Sequence, residues 1–92
     1  MENTTHWPEL TTQLEYYLGD ANLCRDQFFY TMIQETDDGF IPIEVFHKCN
    51  NIKKLNPSDS QIVEAVRHSK ELELNDSLSA IRRLGNKELP EF

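Results

Sequence analysis

Apolar residues in this chain of 92 residues recur mainly at helical spacing, and patterns typical of β-strands are confined to a few short segments. Near the N-terminus, Leu10, Leu14 and Leu18 fall on one face of a helix. Near the C-terminus, residues 71–74 and 79–84 flank a polar turn, as the strands of a hairpin do. The pattern predicts an α+β domain that is mainly helical and has a small antiparallel sheet.

Prolines and acidic residues mark where the helices are expected to begin. Proline suits the first position of a helix, because the N–H that it lacks is unpaired there. We therefore predict a helix over about 8–18 and a later one over about 57–68, with Asn56 as its cap. Asp26 is expected to start a helix between them, where its charge suits the helix dipole.

The remaining segments are short. Asp20 is expected to cap a brief turn, and Pro42 to limit a strand near 40–43 to the edge of the sheet. A short helix is predicted at 44–48, whereas 50–55 is left open between a turn and a helical piece. A strand, two helices and a terminal hairpin in this order predict a winged helix with additional N-terminal helices. That scaffold does not identify a function by itself.

The chain has room for one compact domain. We expect a flexible lead-in at 1–7, the folded domain at 8–85 and the start of a linker at 86–92. Apolar runs are two or three residues long, whereas a helix needs roughly 20 apolar residues to cross a bilayer. With no signal-peptide pattern either, we expect a monomer in the nucleus or cytosol without membrane association.

Charge and cysteine content limit the classes of function. The net charge of −7 is unfavourable for a nucleic-acid binder, because neutralisation of phosphates usually supplies most of the affinity. Such binding would need a local pocket for bases and sugar hydroxyls, with positive charge in a patch or on a neighbouring domain. Cys24 and Cys49 lack the spacing of a zinc site, so we expect free thiols, no metal and no cofactor.

Three polar side chains on the first predicted helix could hold a nucleotide. Gln13, Tyr16 and Tyr17 are neighbours at spacings of three and four residues. An amide pairs with base edges, and tyrosines offer flat faces and hydroxyl groups. Tyr17 also continues the leucine stripe, so spacing alone favours a role in the core for Tyr17, whereas it leaves Tyr16 open between the two roles.

Asp26 and Phe28 form a second candidate pair. A carboxylate accepts hydrogen bonds and could take them from the 2′ and 3′ hydroxyls of a terminal ribose, while a phenylalanine ring could stack on its base. The alternative is that Asp26 only caps its helix and Phe28 fills the core. Elsewhere, Arg82 and Arg83 should point to opposite faces of a strand, so at least one is a candidate phosphate contact. No catalytic motif is present, and we expect a protein that is not an enzyme.

The segment from Gln13 to Phe28 resembles the signature of the La motif, which has a glutamine, an aromatic pair, then D-x-N-L and R-D-x-F. Residues 38–43, 50–55, 62–69 and 81–83 resemble later segments of the same family. The resemblance covers about residues 10–91, and its first block is specific. Its closing segment leans toward authentic La proteins over the La-related branches.

The resemblance implies a winged-helix fold and an RNA-binding domain that recognises the single-stranded UUU-OH 3′ end of RNA polymerase III transcripts, which it protects and chaperones. It implies a nuclear protein in which an adjacent RNA-recognition motif shares the RNA. It favours ligand binding for Tyr16, Asp26 and Phe28: Gln13 would read the penultimate uridine, Asp26 would accept from the terminal ribose, and Phe28 would stack on the last base. The implied RNA-binding residues are Gln13, Tyr16, Tyr17, Asn22, Arg25, Asp26, Phe28 and Asn50.

The sequence departs from the family at Cys49, where a phenylalanine that helps to enclose the uridines is usual, and at Cys24, where proline is usual. Two other classes of function compete with RNA-end binding. A winged helix could insert residues 57–68 into the DNA major groove, although that segment offers Asp59 and Glu64 and only Arg67 near its end. An acidic surface is also compatible with a protein-interaction module.

Overall fold

The computed structural model describes residues 7–90, with the side chains of residues 8–90. The lead-in expected at 1–7 lies outside the described residues except for the backbone of residue 7. The elements in chain order are α1 (Trp7–Tyr17), α2 (Asp20–Leu23), α3 (Gln27–Glu35), β1 (Ile41–Pro42), α4 (Ile43–Phe46), α5 (Asn50–Leu55), α6 (Asp59–Arg67), β2 (Leu72–Leu74) and β3 (Ala80–Arg83). A single 3-10 turn, Leu84–Asn86, follows β3. The predicted class, mainly helical with a small antiparallel sheet, is confirmed.

The three strands form one antiparallel sheet in the order β1-β3-β2. The hairpin pairs Leu72 with Arg83 and Leu74 with Ile81, as the two flanking segments predicted. β1 pairs with the other side of β3, where Pro42 lies opposite Ala80. Pro42 therefore occupies an edge strand, which is where a residue without an N–H is tolerated.

The core lies between the leucine face of α1, the inner faces of α3 and α6, and the sheet. Leu10 and Leu14 are fully buried, and α1 packs against α5 and α6. Phe29 of α3 and Phe46 of α4 meet inside with ring centroids 5.4 Å apart. Burial of these large apolar side chains is the main stabilising contribution, about 1.5–3 kcal/mol for each one.

The start of α6 corrects the prediction at Asn56. That residue ends α5 in the left-handed region, with φ of 49°, and does not cap α6. Ser58 is the N-cap: its side chain accepts from the Gln61 backbone N–H, and the Gln61 side chain accepts from the Ser58 N–H. This capping box satisfies two N–H groups that the helix cannot pair internally, so it sets the helix start two residues beyond the predicted cap.

Asp20 also differs from its predicted role. The N-cap of α2 is Gly19, and Asp20 is the first helical residue, with its carboxylate in contact with residues at and beyond the end of β3. There it forms ion pairs with Arg83 and with Lys87, the latter at 3.7 Å. These ion pairs connect α2 with the end of β3 and with the segment that follows it.

Residues 50–55, left open by the sequence, form a helix that includes both asparagines. Leu89, beyond the last strand, packs against the core. Among residues 7–90, no helix is both long and apolar enough to span a bilayer.

Candidate functional site

Asp26 is held rigidly at the start of α3. Its Oδ1 accepts from the backbone N–H of Phe28 at 3.1 Å and of Phe29 at 3.3 Å, which is the N-cap arrangement. Capping does not exhaust the carboxylate, however, because a carboxylate has about four acceptor positions. The prediction that Asp26 starts the helix is confirmed, and its second oxygen remains to be accounted for.

Asn22 holds that second oxygen. The Asn22 side chain is only 6% exposed, and its Nδ2 donates to Asp26 Oδ2 at 3.2 Å and to the Tyr17 carbonyl at 3.0 Å. Together with the two backbone donors, this contact leaves Oδ2 with about one free acceptor position. Asn22 therefore orients Asp26 from the protein interior and does not line the surface itself.

Phe28 faces outward. Its side chain is 60% exposed, whereas the next residue, Phe29, is buried and meets it edge to face with centroids 5.4 Å apart. The alternative that Phe28 fills the core is wrong. An exposed ring beside a fixed carboxylate provides one flat apolar face and one acceptor at the same point.

These two residues border an open cleft of about 380 Å³ between α3 and the segment from α4 to α5. This volume lies within the range of small-ligand pockets, about 300–1,000 Å³. The cleft is lined by Tyr17, Asp26, Phe28, Phe29, Val45, Lys48, Cys49 and Asn50. The lining combines aromatic faces, one carboxylate, one amide and one ammonium group.

The structure brings four of the eight predicted RNA-binding residues directly to this cleft: Tyr17, Asp26, Phe28 and Asn50. Tyr17 serves both interpretations, because its ring packs 5.7 Å from that of Phe29 and also lines the cleft. The other four, Gln13, Tyr16, Asn22 and Arg25, do not line it.

The positions of those others differ. Tyr16 is 42% exposed and meets the Tyr17 ring edge to face at 5.5 Å. Gln13 is partly buried and contacts α5, where Asn51 Nδ2 donates to Gln13 Oε1 at 3.0 Å. Arg25 is exposed beside Asp26 in sequence. Gln13 and Tyr16 thus lie on α1 outside the cleft lining, and their role in RNA binding stays a prediction.

Of the residues that α4 and the following turn contribute, sequence reasoning missed Val45 and Lys48, whereas it singled out Cys49 as a departure from the family. Val45, Lys48 and Cys49 line the wall opposite Phe28. Lys48 belongs to no motif that the sequence analysis identified. The available signal was its position next to Cys49 and Asn50, both of which fall in the stretch compared with the family.

The pKa of the Cys49 thiol reflects its burial and the negative charge in the cleft. Burial raises its pKa to about 11, and the negative charge of Asp26 adds to the shift. The thiol is therefore uncharged at neutral pH and contributes a small polarisable surface. Cys24 and Cys49 are both free, as expected.

The two arginines of β3 are already engaged within the domain. Arg82 Nε donates to Glu73 at 2.5 Å, and its guanidinium lies over the Phe40 ring at 4.4 Å. Arg83 is 5% exposed and pairs with Asp20. Arg83 is thus buried and engaged within the domain, whereas Arg82 stays partly exposed, so a phosphate contact from this pair stays a prediction that rests on Arg82.

The helix that would read duplex DNA is unsuited to that role. α6 packs against α1, where Thr11 Oγ1 donates to the Ala65 carbonyl at 2.9 Å. Its basic residue, Arg67, pairs with Glu64 at 3.7 Å, and Asp59 is exposed next to His47 at 2.5 Å. This carboxylate-bearing surface would repel phosphates. Among the residues that the structure describes, no group of three His, Cys, Asp or Glu side chains could hold a metal ion.

Comparison with known sequences identifies one family. The family model described as "La domain" matches residues 10–68. Lupus La protein homolog A of Xenopus laevis is 41% identical over 86 residues, which are 91% of this chain and 20% of that protein. The La protein homolog of Aedes albopictus is 38% identical over 86% of the chain, and La-related protein 7 of Xenopus tropicalis is 35% identical over 82%. The chain thus spans about a fifth of the length of the first of these relatives.

Solved structures give the same result. The La autoantigen N-terminal domain superposes with a TM-score of 0.88 at 27% identity, covering 98% of this chain and 97% of that one. The La motif of the Dictyostelium discoideum La protein superposes with a TM-score of 0.72 at 30% identity, covering 95% and 93%. The winged-helix fold with added N-terminal helices is confirmed by this likeness.

Proposed function

Because the chain belongs to the La domain family of RNA-binding domains, we propose that its cleft binds the single-stranded, uridine-rich 3′-hydroxyl end of RNA. The observation that carries the proposal is the fixed carboxylate of Asp26 next to the exposed ring of Phe28. The protein acts by binding, and no catalytic step is assigned to it.

The free acceptor position of Asp26 is the proposed site of the terminal ribose. Oδ1 is occupied by two backbone donors and Oδ2 by Asn22, so the proposed donor to the remaining position on Oδ2 is the terminal 3′ hydroxyl. A hydroxyl group offers the required proton, whereas an esterified or phosphorylated oxygen does not. Selection for a free end follows from this difference.

The aromatic groups and the amide are the proposed base contacts. Phe28 stacks on the terminal base, and Tyr17 and Asn50 form the rest of the wall. Single-stranded RNA suits such a cleft, because its unpaired bases expose both their faces and their edges. Gln13 and Tyr16, further along α1, contact the preceding nucleotide.

The acidic charge of the domain limits the contacts with phosphates. Among the described residues that line the cleft, Lys48 carries the only positive charge. We propose that further positive charge comes from an adjacent RNA-recognition motif in the full-length protein. The proposed natural ligands are RNA polymerase III transcripts in the nucleus, which the protein protects and chaperones.

The test compares the affinities of a four-uridine RNA with a 3′ hydroxyl and with a 3′ phosphate. The phosphate removes the donor and adds repulsion toward Asp26, on the order of 4 kcal/mol per unit charge at a separation of roughly 4 Å and an effective dielectric constant near 20. The matched control carries the same phosphate at its 5′ end, where the charge is equal but distant from the pocket.

We expect the 3′ phosphate to weaken binding strongly and the 5′ phosphate to change it little. Equal affinities for the two 3′ ends would overturn the proposal. Amide chemical shifts that stay unchanged when the RNA is added would instead favour a protein-interaction module.

A further inference from the structure

Asn51 connects two residues of the proposed site that lie on another helix. Its side-chain Nδ2 donates to Gln13 Oε1 at 3.0 Å, and its backbone N–H donates to the Tyr17 hydroxyl oxygen at 3.3 Å. Asn51 is the second residue of α5 and is partly buried. One residue of α5 thus contacts both members of the pair at positions 13 and 17 of α1.

Both contacts use an acceptor and leave a donor. When the carbonyl oxygen of Gln13 is bound to Asn51, the NH₂ group of the same amide is left to donate to another molecule. When the hydroxyl oxygen of Tyr17 accepts from Asn51, its own proton remains available. Asn51 therefore gives this part of the site a donating character.

A donating edge distinguishes the two pyrimidine bases. Uracil has a carbonyl oxygen at position 4 of its ring, which accepts a hydrogen bond, whereas cytosine has an amino group there, which donates one. A fixed NH₂ group opposite that position pairs with uracil and meets a second donor in cytosine. An amide that could turn over would serve both bases equally.

We infer that Asn51 is a positioning residue for base specificity, because it holds the Gln13 amide with its NH₂ group toward the RNA and so selects uracil over cytosine. This inference rests on the proposed function and adds a residue outside the cleft lining. It assigns the choice of base to a hydrogen bond between α1 and α5, 38 positions apart in sequence.

The substitution Asn51→Asp tests the orientation directly. A carboxylate only accepts, so the contact with Gln13 survives only if the Gln13 amide turns over and donates its NH₂ group to Asp. The carbonyl oxygen then faces the RNA and accepts from the amino group of cytosine. The measured quantity is the ratio of affinities for four-uridine RNA and for RNAs with one cytosine at each of the last three positions in turn.

We expect the uridine preference of the wild type, at the position that Gln13 reads, to fall by about three- to tenfold in Asn51→Asp, in line with the net value of one hydrogen bond. Asn51→Ala removes the contact and should give an intermediate ratio. Lys53→Gln is the matched control: it changes the charge of α5 by the same amount at an exposed site and should leave the ratio unchanged. Circular dichroism checks that each variant is folded.

A second readout needs no RNA. In the free Asn51→Asp protein, the NH₂ protons of Gln13 should exchange with solvent more slowly than in the wild type, because they become bound to the carboxylate. Unchanged exchange together with an unchanged base ratio overturns the inference. If the wild type prefers uridine and Asn51→Asp keeps that preference, the role of Asn51 is wrong while the proposed function stands; if the wild type does not bind uridine ends, both fail.

Discussion

Phe28 occupies a position that folding alone does not explain. A phenylalanine with 60% of its side chain exposed contributes little burial, yet the ring stands at the mouth of the cleft beside Asp26. In the proposed complex, stacking on a base would give the ring the apolar contact that the free domain lacks. At this scale the two roles of a side chain, stabilising the fold and binding a ligand, can be separated by substitution.

Phe28→Ala should therefore weaken binding of a uridine-ended RNA by about 1–3 kcal/mol, the usual effect of losing one stacked base. The free energy of unfolding should change by less than about 0.5 kcal/mol, as for other exposed substitutions. Fluorescence anisotropy and urea denaturation measure the two quantities. Phe29→Ala provides the contrast: it is buried, so it should cost about 3–5 kcal/mol of stability. An unfolded Phe28→Ala protein would contradict the assignment.

Cys49 allows a prediction about reactivity. Its pKa is raised to about 11 by burial and by the negative charge of Asp26, and the thiolate is the form that reacts with alkylating agents. In a Cys24→Ser variant, which leaves one thiol, iodoacetamide should modify Cys49 slowly at about pH 8 and faster only as the pH approaches about 11. Mass spectrometry of timed samples gives the rates. A rate at about pH 8 equal to that of a free thiol would contradict the raised pKa.

Individual residues of the site were only partly predictable. Spacing alone favoured a helix cap for Asp26 and a core position for Phe28, and the second was wrong because exposure depends on how α3 is turned against its neighbours. Lys48 and Asn51 were missed for a different reason. Their relevance comes from the packing of α4 and α5 against α1 and α3, and such contacts over long sequence separations leave no local pattern.

At the scale of elements, the helix ends show when a local sequence pattern predicts the N-cap correctly. The acidic N-cap at Asp26 was predicted correctly because no better cap lies nearby. At α6, an asparagine followed by proline competed with a serine followed three residues later by glutamine. Ser58 caps α6 because the side chains of Ser58 and Gln61 each accept from the other residue's backbone N–H. Asn56 instead ends the preceding helix in the left-handed region.

The link between α2 and β3 gives a prediction for pH. The hydrogen bond from Arg83 lowers the pKa of Asp20 from its ordinary value of 3.8, so the ion pair stabilises the fold fully above about that pH. This stabilisation is lost as the pH falls through the lowered pKa, since the folded carboxyl then takes up its proton. The difference in the free energy of unfolding between the wild type and Asp20→Asn should therefore be largest near neutral pH and shrink below about pH 4.

Urea denaturation at a series of pH values measures that difference. Asp76→Asn, in the exposed hairpin turn, changes the charge equally and is the matched control. Its difference from the wild type should stay small over the same range. A difference for Asp20→Asn that grows as the pH falls would show that the pair does not stabilise the folded state.

The architecture of the whole molecule was predictable because it depends on two patterns that extend along the chain. The leucine stripe of α1 and the polar turn between two apolar segments fixed the helical part and the hairpin, and the observed register of β2 on β3 agrees with them. The domain limits, at 8–85, stay a prediction. Net charge is also a property of the whole molecule, and a net charge of −7 raises the question of how the domain could bind RNA.

The dependence of RNA affinity on salt concentration measures how much of the binding comes from contacts with phosphates. Each phosphate neutralised on a single strand contributes about −0.7 to the slope of log affinity against log salt concentration. Lys48 is the positive group among the described residues of the cleft, so we expect a shallow slope. It should lie close to about −1 and be no steeper than about −2. Lys48→Gln should flatten it by about 0.7 and weaken binding to uridine and cytosine ends alike, because a phosphate contact carries no base information.

Lys70→Gln, an equal change of charge at an exposed site outside the cleft, should leave the slope as it is. A steep wild-type slope that Lys48→Gln does not alter would mean that the RNA lies on another surface of the domain.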